Sequence, residues 1–214
     1  HALQTSGNCI RNVTADHFAG VAADEVADPR PASEILRQWS SIHPEFSYLP
    51  RKFKIAVTGA ESDRAAIQVH DIGLHLLKNA KGELGFAVYV GGGQGRTPMV
   101  AKKIRDFLPE EDLLAYCTAI LRVYNLEGRR DNKYKARIKI LVHEMGTEEL
   151  RQAVEAEFDA LKDSELKLPE SDIRAIEAYF APPALPERAE GHGKLAAERK
   201  ADAGFAAWVA QNSL

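Results

Sequence analysis

The chain has 214 residues and a mass of 23.6 kDa, enough for one domain or one domain and part of a second. Lys plus Arg number 28 against 31 Asp plus Glu, so the net charge is −3, which excludes a chain that is basic throughout while leaving local basic clusters open. Two cysteines, Cys9 and Cys117, exclude a disulfide-rich scaffold and any four-cysteine zinc or iron–sulfur site built from this chain alone. No apolar run approaches the ~18 residues needed to cross a bilayer, and the opening residues do not read as a signal peptide.

In chain order, residues 1–13 are polar and predict no helix or strand. They begin at His1, and the chain closes on WVAQNSL with a helix still under way, so both ends are expected to be cut from something longer. Ile35, Leu36, Trp39 and Ile42 mark one face of a helix over 33–43, stopped by Pro44. Alternation in KFKIAVT predicts a strand over 52–58, with Lys52 and Lys54 on the face opposite Phe53, Ile55 and Val57. A second strand region is expected over 65–77, bent at Gly73, and then a turn at 79–82. LGFAVYV at 84–90 predicts a buried central strand that runs straight into GGGQGRTP at 91–98. A short helix is expected over 99–107 and a longer one over 110–126, with Pro109 in its first turn and Gly128 past its end. The basic run RRDNKYKARIK at 129–139 leads into ARIKILVHEM, which suits a strand or a helix, with Gly146 as a stop favouring the helix, followed by an amphipathic helix over 148–161 with Thr147 as N-cap. The chain then turns acidic and Pro-rich, reading as a linker, before an Ala-rich helix over about 194–212.

Several groups of residues invite chemistry. GGGQG after a strand matches neither the dinucleotide fingerprint, since Arg96 stands where a third glycine is needed, nor a P-loop, since Gly95 is followed by Arg96 and Thr97. What survives is a turn whose backbone can come close to an anionic ligand, with Arg96 as an added cation; the plainer reading is a tight turn. Arg51, Lys52 and Lys54 lie close together and can converge on one anion, or can be solvated edge lysines. Arg11, in a polar stretch, is a similar candidate. The 129–139 run is a solvated face or an anion or nucleic-acid patch; with Tyr134 its only aromatic, a nucleic-acid partner is disfavoured. The histidines are scattered, and His143-Glu144 lacks the second histidine of a zinc protease, so no metal ligands are assigned. Cys9 has no evident base, and Cys117, among Leu113, Leu114 and Ile120, reads as core.

Taken together, TSGNCIRNVTAD at 5–16, HPEFSYLPRKFKIAV at 43–57, VHDIGL at 69–74, GFAVYVGGGQGRTP at 85–98 and RVYNLEGRRDNKYKARIKILV at 122–142 resemble the siroheme-dependent nitrite/sulfite reductases, most of all the bacterial assimilatory sulfite reductase hemoproteins. The resemblance covers about residues 1–160. It implies an α/β (α+β) fold: a mixed β-sheet flanked by helices, forming a siroheme-binding domain over 1–161, with a linker and helical C-terminal extension over 162–214. It implies six-electron reduction of sulfite to sulfide, with siroheme coupled to a 4Fe–4S cluster. Arg11, Lys52 and Lys54 would hold and protonate sulfite. Arg51 would pair with a siroheme carboxylate. Gly91, Gly92, Gly93 and Arg96 would form the cofactor-facing turn, and Arg130, Asn132, Lys133, Lys135 and Arg137 fall in the basic cofactor segment. The implied partners are sulfite or nitrite and an electron donor, either ferredoxin or an NADPH flavoprotein subunit, in the cytoplasm, with no nucleic acid and no membrane. The family's two cysteine pairs are absent, so the chain is expected to be a central fragment, inactive alone. The alternatives are a nitrite reductase of the same family or a non-catalytic anion- or tetrapyrrole-binding module.

Overall fold

The computed structural model describes residues 6–41, 43–184 and 191–212, with the backbone alone at 191 and 192. Ile42 and residues 185–190, on which parts of the expected first helix and of the linker fall, lie outside the described residues. Two compact units are present, one ending at Ala181 and one beginning at Pro182.

Among the described residues of the first unit, five strands form one sheet in the order β1-β2-β3-β4-β5, made of Ile10–Ala15, Phe53–Thr58, Ile72–Lys78, Leu84–Val90 and Lys102–Pro109. β1, β2 and β3 are mutually parallel, while β4 runs antiparallel to β3 and β5 antiparallel to β4. The sheet is therefore mixed, as expected. The strand at 52–58 is observed as β2, with Phe53, Ile55, Ala56 and Val57 fully buried. The 84–90 strand is β4, one place in from the edge, and the central place belongs to β3.

Three expected elements differ. The polar opening contains β1, an edge strand whose alternation is broken by a register shift between Ile10 and Asn12, so the two-residue period that marks a strand is lost in the sequence. The 65–77 region is a 3₁₀ turn at Ile67–Val69 followed by β3. β3 pairs through Gly73 with no register shift, and a Cβ there would lie 2.5 Å from the Ile67 carbonyl oxygen, so glycine lets the turn pack close on the strand. The short helix expected over 99–107 is instead β5. Its buried residues Ile104 and Leu108 stand four apart, a spacing that puts them on one face of a helix or of a strand, and the pairing with β4 is irregular on both sides of Val88.

The helices cover the sheet. α1 (Arg30–Ser41) starts three residues earlier than expected because Pro31 suits the first turn and the Asp28 carboxylate accepts the Arg30 N–H at 2.9 Å. α2 (Leu113–Glu127) is buried on most sides, including Tyr116, Cys117, Ile120 and Tyr124. α3 (Ile138–Met145) ends at Gly146, and α4 (Thr147–Leu161) begins with Gly146, not Thr147, in the N-cap place. α4 buries Leu150, Val154, Phe158 and Leu161. Glu155 of α4 accepts from Arg105 at 2.6 Å and from the Tyr116 hydroxyl at 2.8 Å, tying β5 and α2 to it. A further helix, α5 (Glu170–Phe180), lies in the stretch read as linker and packs against α1, where Arg30 donates to the Phe180 carbonyl at 3.3 Å. The compact unit thus extends past residue 161. The second unit holds α6 (Gly191–Ala201) and α7 (Ala203–Asn212), where one continuous helix was expected. Asp202 breaks it by accepting the N–H groups of Gly204 and Phe205 at 2.8 and 3.0 Å.

Candidate functional site

The topology sends basic residues to one end of the sheet. β1, β2 and β3 are parallel, so all three begin there, and antiparallel β4 finishes there, with Val90 beside Ile72. Arg11 stands at the irregularity in β1, half-buried, its Nε donating to the Gly7 carbonyl at 3.0 Å. Lys52 immediately precedes β2, and Lys54, paired with Asn12 of β1, is its second residue. Arg137 immediately precedes α3 and reaches the same end. Burial lowers the pKa of Lys52, and the nearby positive charges of Arg137, Lys54 and Arg11 lower it further.

The group that organises these cations is Asp71, a fully buried residue just before β3. Arg137 donates to its Oδ1 from Nε and a terminal nitrogen at 3.1 and 2.5 Å, and the Lys54 backbone N–H donates to its Oδ2 at 2.9 Å. Burial pushes the Asp71 carboxyl upward, opposed by the Arg137 charge and these hydrogen bonds. Arg137, one of the residues of the basic cofactor segment, thus has Nε and one terminal nitrogen turned inward to Asp71. Arg11, Lys52 and Lys54 have no carboxylate within ion-pair distance among the described residues, whereas Arg64, Arg105, Arg122 and Arg129 each do.

The remaining candidates fall around this centre. Arg51 is half-buried beside Lys52. Gly91, Gly92 and Gly93 are buried, and the Cβ each lacks would meet Val142, the Gln68 carbonyl and the Arg137 guanidinium at 2.6, 2.3 and 2.9 Å. These glycines are thus required by close packing, and the exposed part of the turn is 94–98, including Arg96. Arg130 is exposed and donates to the Tyr48 and Asn125 carbonyls. Asn132 shapes a turn by accepting the N–H groups of Tyr134 and Lys135. Lys133 lies 5.3 Å over the Tyr134 ring, and Lys133 and Lys135 are exposed. Two buried charged positions at this end were missed. Asp71 stands in the quoted VHDIGL segment but carries no signal of burial there, and Lys139 stands in the basic run on what reads as a solvated face. Lys139 is buried, and its ammonium donates to the carbonyls of Gly93, Gln94 and Thr97 at 3.5, 3.1 and 2.5 Å.

Residues 6–161 match the model of the nitrite and sulphite reductase 4Fe-4S domain. The chain belongs to this family. Sulfite reductase (ferredoxin) 1 of Mycolicibacterium paratuberculosis is 33% identical over 159 residues, which is 73% of this chain and 28% of that protein. The assimilatory ferredoxin-dependent nitrite reductase of Haloferax mediterranei is 34% identical over 181 residues, 82% of this chain and 30% of that protein. The structure of the Mycobacterium tuberculosis NirA protein superposes with a TM-score of 0.67 at 29% identity, covering 73% of this chain and 28% of that one. The chain thus spans under a third of the length of these relatives. Sulfite and nitrite reductases are both represented among them, and both are oxidoreductases.

The two cofactors that the family resemblance implies fit these residues differently. Siroheme carries many carboxylates, and the unpaired cations at this end, with Arg51, Arg96, Arg130, Lys133 and Lys135 around them, have the charge to receive them. A 4Fe–4S cluster needs four thiolates, and this chain's thiols do not fit it. Cys117 is fully buried within α2, where burial pushes its pKa up to about 12. Cys9 is also buried, with its pKa raised by burial. Among the described residues no group of three or more metal-binding side chains forms. No helix among them is long and apolar enough to cross a membrane.

Proposed function

We propose that the chain is the oxyanion-binding and siroheme-facing part of a cytoplasmic sulfite reductase that takes sulfite to sulfide with six electrons from ferredoxin, and that it is inactive alone. One observation carries the reading: Arg11, Lys52 and Lys54 stand in or just before two adjacent parallel strands beside Arg137, and among the described residues none of the three has a carboxylate within ion-pair distance. Such a cluster binds an oxyanion in place of the missing counter-charge. Lys52, whose pKa is depressed, is the better proton donor as S–O bonds break. Lys54, held through its own N–H to Asp71, and Arg11 act as fixed positive charges. Arg51, Arg96, Arg130, Lys133 and Lys135 would pair with the siroheme carboxylates, and the turn at 91–98 and the turn around Asn132 would set the backbone close to the ring. Siroheme, when bound, supplies the iron at which the oxyanion is reduced. The cluster thiolates are proposed to come from outside these residues.

Acetic anhydride footprinting tests the anion site. Sulfite should protect Lys52 and Lys54 from acetylation, and Arg11→Ala should weaken that protection about tenfold. Labelling of both lysines that sulfite leaves unchanged refutes the site. Protection by nitrite at lower concentration than by sulfite favours a nitrite reductase, a reading supported by the 34% identity to the Haloferax nitrite reductase over 82% of the chain. Tight stoichiometric siroheme binding together with methyl viologen-driven sulfite reduction by the isolated chain refutes its inactivity.

A further inference from the structure

The exposed turn at 94–98 has a buried cation behind it. Lys139, near the start of α3, is 6% exposed, and its ammonium collects the carbonyl oxygens of Gly93, Gln94 and Thr97. The base of the turn is closed by reciprocal bonds between Gly93 and Met99, each N–H donating to the other's carbonyl at 2.9 Å. With these carbonyls drawn inward, the N–H groups of Gln94, Gly95, Arg96 and Thr97 make no hydrogen bond to backbone or side chain among the described residues. Gly95, at φ 108°, adopts a backbone that few other residues would accept. Successive free N–H groups beside a cation form a concave anion-binding nest. A lysine bonded to carbonyls, with no carboxylate within ion-pair distance among the described residues, is costly to bury, and its return here is the order it imposes on the turn.

We propose that Lys139 is a positioning residue: by gathering three carbonyls of the turn on its ammonium, it holds the N–H groups of 94–97 and the Arg96 side chain outward to receive a carboxylate of a polyanionic ligand. This rests on the siroheme-facing reading and adds to it the residue that fixes the turn. Lys139 does not touch the ligand.

The experiment has two arms. In the first, with no ligand, hydrogen exchange is followed in wild type, Lys139→Met and Lys139→Arg. Lys139→Met should speed exchange over 94–98 by about tenfold or more while β4 and α4 keep their protection. Lys139→Arg, which retains charge and donors, should stay within about threefold of wild type. Unchanged exchange over 94–98 in Lys139→Met, an equal rise in every segment, or an arginine variant as loose as the methionine variant would each overturn the proposal. In the second arm the probe is uroporphyrin, an octacarboxylate tetrapyrrole. Lys139→Met and Arg96→Ala should each weaken its binding about fivefold to tenfold, and full affinity in Lys139→Met despite a loosened turn would refute the positioning role. If uroporphyrin binding is instead insensitive to Arg51→Ala and Arg130→Ala, the siroheme-facing reading fails while the exchange result still decides what Lys139 does to the turn.

Discussion

Replacing Arg137 by alanine should destabilise the first unit by about 3 kcal/mol. Asp71 is fully buried and the Arg137 side chain is 16% exposed, so the pair is screened little by water. Removing one partner of a buried pair costs about 3–5 kcal/mol, because the other charge is left without compensation. Here the Lys54 N–H remains on Asp71 at 2.9 Å, and Arg137 opens partly to solvent, which places the loss at the lower end. With a urea dependence of about 2 kcal/mol per molar, the midpoint should fall by about 1.5 M. The assay is equilibrium urea unfolding followed by tryptophan fluorescence and circular dichroism together. Arg130→Ala serves as the control: Arg130 is exposed and bound only to neutral oxygens, so its loss should be below about 1 kcal/mol. The double variant with Asp71→Asn should cost clearly less than the sum of the single changes, since the two side chains act on each other. A loss for Arg137→Ala equal to that for Arg130→Ala, or strict additivity with Asp71→Asn, would refute the claim that this pair anchors the cation cluster.

Two further predictions concern local structure. Gly91→Ala should cost about 1–3 kcal/mol, because φ is 89° and the new Cβ would lie 2.6 Å from Val142; Gly95→Ala, at φ 108° with open space around it, should cost only about 1 kcal/mol, and thermal unfolding of the two variants would compare them. Arg64 donates to both Asp16 and Asp24, at 2.7 and 2.8 Å, and holds the Asp24 carboxyl well below its ordinary value of 3.8. A depressed acid contributes stability that is present above that ordinary value and is lost as pH falls through the folded one. Arg64→Ala should therefore lower stability at pH 6 and flatten its decline below pH 4, and an unchanged acid limb in urea unfolding would contradict this.

The sequence was legible where one local pattern decided the structure. β2 and β4 follow from alternation and from an unbroken apolar run, and α2, α3 and α4 from helical spacing with their stops. It was not legible where a tertiary neighbour decides. The alternation of β1 is interrupted at Arg11, and the edge position leaves most of its side chains partly exposed. The spacing of Ile104 and Leu108 suits a helix and a strand alike, and pairing with β4 decides between them. α5 buries no residue and is held by α1 from far along the chain. The same division runs through the site. Arg11, Lys52 and Lys54 can be picked as cations, yet that β1 and β2 pair in parallel, and so bring them together, is a property of the sheet. Asp71 and Lys139 gain their roles only from burial, which no residue in their neighbourhood announces.

The arrangement has an electrostatic consequence. Arg11, Lys52, Lys54 and Arg137 come from three separate elements to one end, and Asp71 is the carboxylate set among them. The fold thus places four positive charges against one negative charge inside a partly desolvated region, where repulsion is stronger than in open water. The lowered pKa of Lys52 is one sign of that repulsion. Elsewhere arginines of this chain pair with acids at close range, as at Arg105 with Glu155 and Arg122 with Glu45 and Glu157. Leaving this end short of negative charge costs stability, and the anion proposed to bind there would offset that cost. On the proposed reading, binding free energy and relief of repulsion would have the same source, and the cations without a carboxylate among the described residues would serve binding at a cost to folding.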